Sequence, residues 1–78
     1  MSYTIHCEVN SRLGIVTKVL ATDSKWYVAT NNPMKFKSAS VAALWFFSSD
    51  ASAVPPVGSV IWIRGPRGGY HPMRWDKS

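Results

Sequence analysis

Polar and apolar residues alternate most cleanly near the start of the chain. In Tyr3-Thr-Ile-His-Cys-Glu-Val9, Tyr3, Ile5, Cys7 and Val9 fall on one side and Thr4, His6 and Glu8 on the other. A period of two marks a strand with one buried face. Asn10-Ser-Arg-Leu-Gly14 is turn-like, with Gly14 free to take a positive φ. Ile15-Val-Thr-Lys-Val-Leu20 is rich in β-branched residues and predicts a second strand. After Thr22-Asp-Ser24, the stretch Lys25 to Thr30 predicts a third, with Trp26 and Val28 on one face and Tyr27 and Ala29 on the other. Short links make these strands an antiparallel meander.

Asn31-Asn-Pro33 interrupts the pattern, because proline restrains its own φ and biases the preceding residue away from helix. Met34-Lys-Phe-Lys37 is expected to be extended and to lie at an edge, with Lys35 and Lys37 in water. Ser38 to Ser49 predicts the helix, with Ser38 or Ser40 as N-cap. Val41, Leu44, Trp45 and Ser48 share one stripe, which Ala42 and Phe46 widen. So short and apolar a helix is marginal alone, so it must lie across a sheet. Trp45, Phe46 and Phe47 cannot all face that sheet, since neighbours on a helix sit about 100° apart. At least one of Phe46 and Phe47 is left for solvent or for a dimer contact. Asp50 to Gly58, with Pro55 and Pro56, ends the helix.

The last third predicts a β-hairpin, with arms Ser59 to Arg64 and Tyr70 to Trp75 around Gly65-Pro-Arg-Gly-Gly69. If Arg64 pairs with Tyr70, then Ile61, Ile63 and Met73 face the helix, and Trp62, Arg64, Tyr70 and Arg74 share the outer face. A glycine bulge would shift the register by one and put Tyr70 inside. The expected fold is α+β: an antiparallel sheet of about five strands with one helix on one face (βββ-α-ββ), two layers in a single domain spanning 1–78. No internal repeat or low-complexity segment is visible.

Composition adjusts this picture little. Seventy-eight residues bury only about 60% of the surface exposed when unfolded; four Trp, three Tyr and three Phe help to fill so small a core. Nine Lys and Arg against four Asp and Glu give a formal charge of +5, which favours acidic partners and also serves simple solubility. The lone Cys7 excludes an internal disulfide and argues against a secreted mini-protein. The start lacks the basic and apolar regions of a signal peptide, and the apolar run Val41 to Phe47 is far below the ~20 residues that span a bilayer. The expected location is the cytoplasm of a bacterial cell, with no membrane contact.

Catalytic chemistry is expected to be absent. The chain has two His and four acidic residues. Adjacent His6 and Cys7 point to opposite faces of a strand and cannot form a dyad. One Cys and two His are too few for a usual structural zinc site. The glycine-rich turn lacks the Gly-Lys-Ser/Thr of a phosphate loop. No enzyme activity, metal or cofactor is expected. The candidate binding residues are Trp62, Arg64, Arg67, Tyr70 and Arg74 on the hairpin, joined by Lys35 and Lys37, with Lys25 nearby. Exposed aromatics can stack on bases and arginine can pair with phosphate or carboxylate. The same residue types make protein-binding hot spots. The plainer alternative is that Trp62 packs under Arg64 and Arg74 and only stabilises the sheet face.

Antiparallel strands, the helix opening Ser38-Ala-Ser-Val-Ala-Ala, then Val-Pro-Pro-Val-Gly-Ser-Val-Ile-Trp-Ile-Arg and a closing hairpin together resemble small phage-encoded type I anti-CRISPR proteins, over about Phe36 to Trp75. The resemblance is one of layout. It implies a non-enzymatic inhibitor that binds a CRISPR-Cas effector complex or its nuclease and blocks target DNA binding or cleavage; the aromatic run on the helix separately leads to the expectation of a monomer or weak homodimer. Many such proteins are acidic and imitate DNA, whereas this chain is basic, so the resemblance implies either an acidic or RNA-bearing target surface or the route taken by the minority of basic members. The competing expectation is a small nucleic-acid-binding domain that uses the hairpin face.

Overall fold

The computed structural model describes residues 2–48 and 59–73. Strands β1 (Thr4–Ser11), β2 (Gly14–Leu20) and β3 (Trp26–Tyr27) precede helix α1 (Ala39–Ser48), and β4 (Val60–Arg64) and β5 (Tyr70–Met73) follow it. The strands form one five-stranded antiparallel sheet in the order β3-β2-β1-β4-β5. With the single helix it makes the α+β fold that the pattern of residues predicts.

The alternation in β1 does what it promises. Ile5 and Cys7 are fully buried, and Tyr3 and Val9 pack around them. Leu20 from β2, Ile61 and Ile63 from β4, Phe36 from the segment that bridges to Tyr3, and Ala42 and Phe46 from α1 complete the core. Each large aliphatic side chain buried this way is worth about 1.5–3 kcal/mol. β1 lies at the centre because it pairs on both sides, with β2 along Ser11↔Gly14 to His6↔Val19 and with β4 along Thr4↔Arg64 to Glu8↔Val60.

The helix starts at Ser38, not Ser40: the Ser38 hydroxyl accepts the Val41 N–H (3.1 Å) and its carbonyl accepts the Ala42 N–H (3.1 Å). Its buried face differs from the expected stripe. Ala42 and Phe46 are buried with Ala39, Ala43 and Trp45 beside them, whereas Val41 and Leu44 are exposed. A helix apolar on nearly every side lets packing choose, and the small alanines bring its axis close to the sheet. Of the two phenylalanines, Phe46 goes in and Phe47 stays out.

The third strand is shorter than its residues suggest. Asp23 accepts the Lys25 N–H (3.0 Å) and the Tyr27 hydroxyl (2.5 Å), and Ser24 takes a left-handed φ of 66°, so a tight turn delivers only Trp26–Tyr27 to β2. The chain then doubles back, and the Thr22 N–H donates to the Asn32 carbonyl (3.0 Å) while Pro33 bridges to Ala21. That return leaves Val28 in water, away from the face that Trp26 packs on. Met34 to Lys37 is not an outer edge. Met34 N–H donates to the Leu20 carbonyl, and Phe36 and Tyr3 exchange two bonds of 2.9 Å, so the segment fills the opening where β1 and β2 part. Phe36 closes the core there, with Lys35 and Lys37 exposed on either side of it.

In the last hairpin Arg64 pairs with Tyr70, Ile63 with His71 and Ile61 with Met73. The loop is Pro66-Arg67-Gly68: Gly65 N–H donates to the Gly69 carbonyl (2.9 Å), Gly68 N–H returns to the Gly65 carbonyl (3.1 Å), and Gly68 holds φ 78°. Glycine is needed at that φ. The register therefore keeps Tyr70 outside. The Met73 side chain and Arg74 lie outside the described residues.

Candidate binding face

Strand pairing sets the site. His6 stands beside Trp62, Thr4 beside Arg64, and Arg64 beside Tyr70. These residues alternate with Ile5, Ile61 and Ile63, so they point away from the helix. The His6 and Trp62 rings stack at 4.5 Å with 13° between planes, and Trp62 meets Tyr70 at 5.3 Å. Trp62 is thus half-buried between two rings, while Tyr70 keeps 57% of its surface in water and Arg64 is exposed. The Trp62 indole N–H is buried without an acceptor among the described residues.

Burial holds the His6 pKa below its ordinary value, and the Arg64 guanidinium pushes the same way. The imidazole is therefore neutral at pH 7 and shares a 2.7 Å hydrogen bond with the Thr4 hydroxyl. Arg64 supplies the positive charge beside the rings, and Glu8, two residues on from His6 in β1, lies on the same outer face. Beside Arg64 a shallow groove of about 470 Å³ runs over Thr4, His6 and Val19 towards Thr30 and Pro33.

The other expected residues separate from this row. Arg67 sits in the hairpin loop and lines a hollow of about 240 Å³ with Tyr3 and His71, whose rings lie 6.0 Å apart. Both belong to the face the helix covers. Lys35 and Lys37 flank buried Phe36, and Lys25 follows the Asp23 turn. Among the described residues, Arg64 is the cation brought to the aromatic row. Arg74 falls outside them. Trp62 packs under His6 and Tyr70, so it supports the face more than it offers a free ring. His6 was absent from the expected site. Its alternation placed it on the polar side of β1, but its stacking partner comes from β4, and no local pattern announces that pairing.

Among the described residues no three of His, Cys, Asp and Glu converge, and no helix is long and apolar enough to cross a membrane. No protein-family model, curated protein or solved structure matches the chain.

Proposed function

We propose that this chain is a non-enzymatic binding protein that docks through its outer sheet face, with Arg64 and Tyr70 as contacts and Trp62 as their support. The resemblance in layout points to a type I CRISPR-Cas effector complex or its nuclease as partner, in the cytoplasm of a bacterial host, with target DNA binding or cleavage blocked as the outcome. The observation that carries the reading is the packed His6–Trp62–Tyr70 row beside Arg64. Aromatic and arginine side chains dominate interface hot spots, and a row already packed loses little freedom on docking. The charge of +5 suits an acidic or RNA-bearing target.

The test is direct binding to a purified type I effector complex by wild type and by an Arg64→Glu, Tyr70→Ala double variant. Both residues are exposed, so the fold should persist, and affinity should fall about tenfold or more. Undiminished binding by the variant would remove this face from the function. One feature favours a second reading: an exposed Tyr70 ring beside a guanidinium also suits a base and its phosphate. A nucleic-acid module would bind free oligonucleotides with affinity falling steeply as salt rises, whereas the inhibitor would ignore them.

A further inference from the structure

The two sides of the sheet are finished differently. On the β5 side, Gly65 N–H bonds to the Gly69 carbonyl, so by alternation Ile63 and His71 form a bonded pair and Trp62 and Pro72 do not. Pro72 therefore stands where its missing N–H would face outward, and that edge is blunted. On the other side, the described residues leave most of β2 uncovered. β3 covers β2 only at Val19 and Leu20. Ala21 N–H donates to the Lys25 carbonyl (2.9 Å), so Val19 faces β3 and, two and four residues back, Thr17 and Ile15 face the same way. Among the described residues no strand pairs with β2 there, so the N–H and C=O groups of Ile15 and Thr17 are presented at a free edge.

We infer that this free edge of β2 takes an extended acidic segment of a protein partner, added as a further strand.

Charge selects that occupant. Arg12 and Lys25 bracket the edge at its two ends, and Lys18 lies between them on the helix-facing side, opposite Cys7. The nearby acids compete little there: Asp23 is engaged by the Tyr27 hydroxyl and the Lys25 N–H, and Glu8 is on the opposite face, beside Thr17. An incoming strand thus matches best with carboxylates on the Lys18 side and β-branched residues on the Ile15 and Thr17 side, which is exposed. A second copy of this chain would bring Arg12, Lys18 and Lys25 against themselves. The edge lies across the sheet from Arg64 and Tyr70, so the inference stands apart from the proposed function.

The probe is a labelled hexapeptide of alternating Glu and Val, titrated into the full chain. Binding is followed by fluorescence anisotropy, and amide hydrogen exchange is followed by NMR. The expected result is slowed exchange at Ile15 and Thr17, and binding about tenfold tighter than that of the matching Lys and Val peptide. Thr17→Pro removes an edge-facing N–H while leaving the β1 ladder its bonds, and should weaken the acidic peptide about tenfold or more. Unchanged exchange at Ile15 and Thr17, equal binding of both peptides, or shifts confined to Trp62 and Tyr70 would overturn the inference. So would slowed exchange that appears without peptide and grows with protein concentration, since the occupant would then be a second copy. The wild-type exchange pattern decides the matter even if Thr17→Pro does not fold.

Discussion

Trp62 carries an unusual combination at the level of single residues: it stacks against His6 and Tyr70, and its buried indole N–H has no acceptor among the described residues. An orphan donor costs about 1–3 kcal/mol, so removing it offsets the smaller ring of a replacement. Trp62→Phe should therefore change stability by less than about 1 kcal/mol, against about 3–5 kcal/mol for Trp62→Ala, in urea unfolding. A loss of about 3 kcal/mol in the phenylalanine variant would mean that the N–H has an acceptor after all. His6, its stacking partner, links the face to pH. The folded chain holds this imidazole below the ordinary 6.5, so the unfolded chain takes up the proton first. Stability should fall as pH drops from 6.5 and stop falling for this reason once folded His6 is itself protonated. Melting temperatures of wild type and His6→Gln across that range would check it; an equal slope in both would assign the effect elsewhere.

The elements were legible where a pattern is local. Tyr3, Ile5, Cys7 and Val9 announce β1 by period two, and the glycines around Pro66-Arg67 announce the last hairpin, but its register stayed open in the sequence until the pairing of Arg64 with Tyr70 settled which side Trp62 and Tyr70 take. The helix was legible in its existence and start but not in its rotation. Ser38 to Ser49 holds no charged residue, so nothing in the sequence says which side faces water, and Ala42 with Phe46 won over Val41 with Leu44. β3 was overdrawn because the return through Asn32 and Pro33 to β2, which pulls Val28 away, is a contact between segments. The same limit hid His6 and dispersed Arg67, Lys35 and Lys37. The cap gives this level its own test: Ser38→Ala should cost about 1 kcal/mol in urea unfolding, and Ser40→Ala close to nothing. Equal costs would shift the helix start.

At the scale of the whole molecule, the described residues form a three-stranded meander, a helix and a closing hairpin, with β1 joining meander to hairpin. β1 meets β2 a few residues on, at Ser11↔Gly14, but it meets β4 only through pairs such as Thr4↔Arg64, from opposite ends of the chain. In time, these are separate events. A hairpin closes in about 1–10 μs, whereas the β1–β4 seam must wait for a long loop to close before any contact rewards it. That seam should set the refolding rate. Ile63→Val should slow refolding in stopped-flow fluorescence, while Leu13→Ala, at the exposed tip of the first hairpin, should leave it unchanged; equal rates for Ile63→Val and wild type would place the barrier earlier. Until the seam closes, Ile5, Cys7, Ile61 and Ile63 stand in water together with an unpaired side of β1. The yield of native protein on refolding should therefore depend on how dilute the chains are during that interval.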